Sequence, residues 1–453
     1  MGHASFRRPP SSRLSPAAAA AALVAVGVLG VLPACSQTSA STTPDPSTAG
    51  TATDPAAASA TTDAPTTSTA PRPDDQCRET VDSLTRPTRL TDSGPGCDYA
   101  VEGRLDVSAG LVIEAGTEIR FAPDARLRIG PEGSIVARGT AQDRIVLRGM
   151  AEGHGTWVGL CFDGSGESVL DHVDLLHAGR LETSTAVSHP GGPVCQAAIG
   201  HAVNPTEPIH ITHTRVVGSA TSGLDATELT LGEFTGNVFA DNMEYGVRTS
   251  VINATRLDRG SDYLGQDSTE TWPANGLPFV YLGGEVTDGQ EHRVPDLGVP
   301  YRNGGDEYPY PRNIYVDGGS TLRIEAGTQI FFGQEGGIDA FAGSRVVAAG
   351  TESTPVLLTG VEENPGSWDG LHLTDSSLDL AHTTVAYAGA ERATRIDKGA
   401  VVLGGTEPHE VALTHVLIRD SQTCAVRGNA YTTGRFEAVD LRDNAENLCG
   451  LGG

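Results

Sequence analysis

The stretch Ile113-Glu114-Ala115-Gly116-Thr117 recurs unchanged as Ile324-Glu325-Ala326-Gly327-Thr328. The same interval separates Gly139-Thr140 from Gly350-Thr351, and Trp157-Val158-Gly159-Leu160 from Trp368-Asp369-Gly370-Leu371. It shortens slightly between His172 and His382, and further between Thr212-His213 and Thr414-His415 and between Asp241-Asn242 and Asp443-Asn444. A register held over this distance is an internal duplication. A finer period lies inside each copy: Ile113, Ile135 and Trp157 are 22 residues apart, as are Ile324, Val346 and Trp368. Between them run short alternating segments, Leu105-x-Val107, Ile119-x-Phe121, Leu127-x-Ile129 and Ile145-x-Leu147. Alternation over so few residues makes short strands with one buried face. Gly, Pro, Asn and Asp punctuate them, as in Pro131-Glu132-Gly133. About three such strands per 22–25 residues make one coil of a solenoid, in which like residues stack between neighbouring coils. Hairpin signals are rare: Asp317-Gly318 is one, but its counterpart is Asp106-Val107, so hairpins are not the rule. Helical periodicity is essentially absent. The expected fold is all-β, a parallel β-helix with two related halves.

The pattern Leu322-x-Ile324-Glu325-Ala326-Gly327-Thr328-x-Ile330, then Ala349-Gly350-Thr351, Gly366-x-Trp368-x-Gly370-Leu371 and His382-x-x-Val385-x-Tyr387-Ala388-Gly389 resembles the right-handed parallel β-helix repeat proteins of bacterial surfaces, within the pectate-lyase-like superfamily. The resemblance covers residues 98–250 and 310–453. It implies architecture but no particular activity, because that fold hosts lyases, hydrolases, epimerases, adhesins and scaffolds. Residues 250–310 break the repeat and read as a connector, leaving open whether the solenoid runs through it. The expected boundaries are therefore 77–249 for an N-terminal cap and first half, 250–310 for the connector and 311–453 for the second half.

Upstream, Arg7, Arg8 and Arg13 precede an apolar run from Ala17 to Leu32, as in a secretory signal over residues 1–34. The run is about 16 residues, short of the ~20 needed to span a bilayer. It ends at Leu32-Pro33-Ala34-Cys35, which resembles the bacterial lipobox and implies acylation of Cys35. Residues 35–76 are dominated by Ser, Thr, Ala and Pro, too polar to bury a core, and read as a disordered tether. The chain is thus expected to be exported and anchored to a membrane or cell surface.

Seven cysteines are present. Beyond Cys35 the remaining six, an even number in an exported chain, read as disulfides. Several connectivities are possible, and spacing favours Cys77–Cys97, Cys161–Cys195 and Cys424–Cys449. The first would pin a cap, the last would staple the final two coils, and the middle pair would close a stretch longer than its counterpart in the second copy. A net charge of −26 over 453 residues repels phosphate backbones and argues against nucleic-acid partners.

Glycan hydrolases of this fold use paired carboxylates, so Asp163, Asp171 and Asp174, with Asp369, Asp375 and Asp379 in the second copy, are the first candidates. A lyase would need a cationic base, and the chain has one lysine, Lys398. His172, His177, His210 and His213, with His372, His382 and His415, raise the question of metal ligation. Recurrence of His172/His382 and His213/His415 at equivalent positions argues instead for a role in the ladder, as it does for Trp157 and Trp368. The unduplicated aromatics of the connector, Tyr263, Trp272, Phe279, Tyr281, Tyr301, Tyr308 and Tyr310, read first as hydrophobic packing of an irregular segment and second as a ligand-binding groove, for which Trp272, Tyr281 and Tyr301 are the candidates. No nucleophile elbow, phosphate loop or zinc-protease motif occurs, and neither cofactor nor metal is expected. The leading expectation is a non-catalytic binding or scaffold protein for a glycan, a wall component or a protein, with a polysaccharide lyase or hydrolase as the alternative. Localised function is expected where the copies differ.

Overall fold

The computed structural model describes residues 77–450 apart from 165, 181–194, 196, 204–206, 267–271, 306–312 and 392–396. The signal segment, Cys35, the tether, Tyr308 and Tyr310 lie outside these residues. The described chain is a parallel β-helix. Every ladder between strands is parallel, and strands three steps apart in sequence generally stack on one another.

One coil shows why the sequence folds this way. Arg104–Val107, Gly110–Ile113 and Glu118–Phe121 each bury alternate residues. Leu105, Val107, Leu111, Ile113, Ile119 and Phe121 point inward and are at most 1% exposed. The next coil repeats the pattern one layer on, with Leu105 beside Leu127, Leu111 beside Ile135 and Ile119 beside Leu147. A long apolar core results, running from Leu90 to Val426. Gly116 and Gly327, from the repeated motif, sit at φ 84° and 88°, a left-handed turn that glycine enters without steric cost.

Trp157 and Trp368 are fully buried. Each lies flat on the phenylalanine of the preceding coil, Phe121 at 3.9 Å and Phe332 at 4.1 Å between centroids. Each indole N–H donates to a backbone carbonyl, Leu176 O at 2.9 Å and Ala386 O at 2.8 Å. A buried tryptophan needs such an acceptor, and the geometry makes both residues parts of the core.

The open question about 250–310 has a definite answer. The wall built from Arg104–Val107, Arg126–Ile129, Gly159–Asp163, Ala197–Val203, Ser222–Ala226 and Val247–Ser250 continues directly into Val280–Val286. That seven-residue strand then serves two partners. Its start pairs with Tyr301–Asn303 and its end with Asn313–Val316. The other two walls are interrupted. A single helical turn, Val251–Ala254, follows Val247–Ser250, capped by the Ser250 side chain. Asn253 on that turn accepts from Leu231 N and donates to the carbonyls of Ala226 and Leu229, satisfying groups that a strand would otherwise have paired. The connector is therefore a coil with one wall kept and two replaced.

Cys77 is joined to Cys97, Cys161 to Cys195 and Cys424 to Cys449, with Cα separations of 4.5, 5.9 and 6.2 Å. The last bridge crosses the adjacent strands Cys424–Arg427 and Glu446–Cys449. These disulfides place the folded body in an oxidising environment. No helix among the described residues is long and apolar enough to cross a membrane.

Candidate functional site

The candidate carboxylates do not converge. Asp163, Asp171 and Asp174 lie on three successive strands of one coil, which belong to three different walls. Each is tied to basic groups. Asp163 pairs with Arg128. Asp174 meets Arg144 at 2.6 Å and Arg215 at 3.8 Å. Asp171 accepts from Thr212 Oγ1 at 2.9 Å and faces both His172 Nδ1 at 2.8 Å and His213 Nδ1 at 3.2 Å. Burial raises the pKa of Asp171, but the hydrogen bonds from Thr212, His213 and His172 outweigh it and hold the carboxyl below its usual range. In the second copy Asp379 pairs with Arg345 at 3.1 Å, while Asp375 accepts from the backbone N–H groups of Thr406 and Glu407 at 2.6 and 2.7 Å. Asp369 is buried at the start of the Gly370–Thr374 strand. These acids hold coils and turns together.

The histidines form two stacks. His172 lies over His213 at 4.5 Å, and His382 over His415 at 4.7 Å. All four have positive φ, between 42° and 55°, so each is a left-handed residue ending a strand. His210 Nδ1 accepts from Glu233 N, and His372 Nε2 lies 3.1 Å from Asp369 O. His177 stands apart at another turn, where burial, then the nearby charge of Arg148, lowers its pKa.

Two of the leading aromatic candidates turn out to be interior. Tyr281 is 2% exposed and lies beneath the Arg248 guanidinium at 4.8 Å, while Tyr301 is fully buried with its hydroxyl donating to Pro295 O. Tyr301 faces the core in register with Val280, whereas Tyr281 lies on the opposite face of its strand from Val280 and Leu282 and is covered by Arg248, so neither is a surface platform for a ligand. Tyr263 is likewise buried and donates to Asp258 O. Trp272 is half-buried against Arg215, 5.5 Å from its ring centre. Phe279 packs on Phe331. The insertion closed by Cys161–Cys195 lies mostly outside the described residues.

The structure instead opens a cleft of about 490 Å³ at one corner of the second half. Arg302 reaches it from the Tyr301–Asn303 strand and Gln334 from the turn after Gln329–Phe332. Glu362 and Asn364 come from the loop after Val356–Gly360, and Glu391 and Gln422 from the same corner of the next two coils. Gln422 Oε1 accepts from Glu391 N at 2.9 Å, and the Glu391 carboxylate lies 3.5 Å from Lys398 Nζ. Arg302 Nε is buried and makes no hydrogen bond within the described residues. Gly366 leaves room for Gln422, which a methyl group there would strike. In the first copy the place of Gly366 is taken by Gly155, which faces Ala220 instead. The floor is shared by both copies and the polar lining is not. A comparison of Gln422 with Ala220 is the signal in the sequence that points here; residue-type motifs alone do not.

Fold and corner together define a parallel β-helix protein with a polar cleft on a duplicated scaffold. Residues 302–410 match the family model described as the pectate-lyase-like β-helix domain, a span that contains every cleft residue named above except Gln422. No curated protein and no solved structure matches the chain.

Proposed function

We propose that this chain is an exported, lipid-anchored surface β-helix that binds a polyhydroxylated ligand, a glycan, in the second-half cleft. The observation that carries this reading is the lining of the cleft: amide, carboxylate and guanidinium groups at a corner where the two copies diverge. Such groups hydrogen-bond sugar hydroxyls, and the binding sites of repeat folds commonly lie on loops at one face. The Cys35 signal and the polar spacer support a tethered body held off a membrane. The charge balance supports a neutral or cationic partner over a nucleic acid.

A hydrolytic reading keeps one observation in its favour, since Glu362 and Glu391 face the same cleft. The test is a glycan array followed by titration of the best ligand into the protein and its Gln422→Ala and Arg302→Ala variants. Binding that weakens by about tenfold or more in both variants supports the proposal. Turnover of a polysaccharide, lost in Glu362→Gln or Glu391→Gln, sinks it in favour of an enzyme.

A further inference from the structure

The His172–His213 stack differs from its twin in one respect that the fold does not explain. Both stacks are built alike, from strand-ending histidines in left-handed geometry at equivalent repeat positions. In the first copy the residue preceding the lower histidine is Asp171, paired across the ladder with Thr212. In the second copy that residue is Ala381, paired with Thr414. A histidine stack therefore forms with or without a carboxylate beside it. Only the first copy adds one.

We propose that Asp171, His172 and His213 form a binding site for a divalent transition-metal ion of the zinc or copper class. The ligand set is one carboxylate oxygen and two imidazole nitrogens, the borderline donors such ions favour over oxygen-only cations. Asp171 Oδ1 stands 2.8 Å from His172 Nδ1 and 3.2 Å from His213 Nδ1, and one donor atom from each of the three residues lies within 4.8 Å of the others. Two ligands on one ion, at bond lengths of ~2.0–2.2 Å, are themselves separated by about 3 Å. The spacing seen is already that of neighbouring ligands, so an ion replacing the shared protons asks for small shifts.

Three further features fit. Thr212 Oγ1 donates to the same carboxylate oxygen at 2.9 Å, a fixed outer partner of the kind that orients ligands. The His213 side chain is 51% exposed, leaving an entry path and positions for water. Arg144 spends its charge on Asp174 at 2.6 Å while donating to His213 O. Arg138, beside Asp171 on the preceding coil, opposes an ion, and the strongly negative chain favours one. This site lies in the other half of the molecule from the cleft and stands independently of it.

The experiment uses untagged full-length protein stripped with chelator and titrated with Zn²⁺ and Cu²⁺, with bound metal counted by elemental analysis. One ion per chain is expected, and the Cu²⁺ form should show electron-paramagnetic-resonance couplings from two nitrogens. Asp171→Asn, which keeps the shape of the side chain, and His213→Ala should each lower affinity by at least about tenfold. His415→Ala should leave it unchanged, and circular dichroism confirms that each variant is folded. No bound ion, or equal loss of affinity in His415→Ala and His213→Ala, overturns the proposal.

Discussion

Tyr263 and Tyr301 show how a single side chain records its surroundings. Both phenols are held well above the ordinary value of 10.0, first of all by burial, then by the nearby Asp258 for Tyr263, and by Tyr263, Asp296 and Glu325 for Tyr301. A raised folded-state value means the fold prefers the neutral phenol. Their contribution to stability is complete below the unfolded value near 10 and is lost as pH rises above it. The chain has 10 tyrosines. In a titration followed by phenolate absorbance, the native protein at about pH 11 should leave these two un-ionised, and Tyr263→Phe or Tyr301→Phe should not reduce the amplitude that develops before unfolding. Full ionisation of all tyrosines in a protein still folded would contradict the burial described here. At this scale the sequence marked the aromatic cluster of the connector but not its orientation. A tyrosine on a short strand points in or out according to register, and no repeat partner was present to fix that register.

Among the elements, the final coil depends most on its staple. Thr432–Glu437 is largely exposed, and Tyr431, Phe436 and Leu448 are 48%, 43% and 57% exposed. Among the described residues its closing strand Glu446–Cys449 has one neighbouring strand, Cys424–Arg427, to which Cys424–Cys449 joins it. A coil with so little buried apolar surface cannot offset its own ordering entropy. Replacing both cysteines by serine should therefore cost on the order of 2–4 kcal/mol, concentrated at this end. Hydrogen exchange should show faster amide exchange across 440–449 while the strand Thr321–Glu325 keeps its protection. Uniform acceleration along the chain would refute that localisation. Spacing favoured this pairing without fixing the connectivity, because cysteines 25 residues apart, about one coil, fall on neighbouring layers.

Taken whole, the molecule is two copies on one uninterrupted wall. Val280–Val286 pairs back to Val247–Ser250 and forward to both Tyr301–Asn303 and Asn313–Val316, and the described residues fall in one compact unit. Coils in a solenoid are stabilised through nearest neighbours, so a continuous ladder couples the halves. Calorimetry should then give a single unfolding transition for both copies, and a Pro substitution at Tyr281, which breaks the ladder there, should split it. Two separate transitions in the unaltered protein would show that the connector uncouples them.

The duplicated motif at Ile113–Thr117 and Ile324–Thr328 determined the solenoid, its period and its two halves, because alternation and glycine turns are local properties written in every coil. Cysteine spacing favoured the staples for the same reason without fixing their connectivity. What only the tertiary structure decided was everything that depends on which coils lie side by side. The continuity of the wall through 280–286 is one such fact, and the separation of Asp163, Asp171 and Asp174 onto three walls is another. The burial of Tyr281 and Tyr301, and the meeting of Arg302, Glu362, Glu391 and Gln422 at one corner, belong with them. The placement of Asp171 against His213 is the sharpest case. Residues 42 apart in the chain touch because a strand and a turn stack on their successors. The length of the intervening loop, which sets that register, follows no period in the sequence.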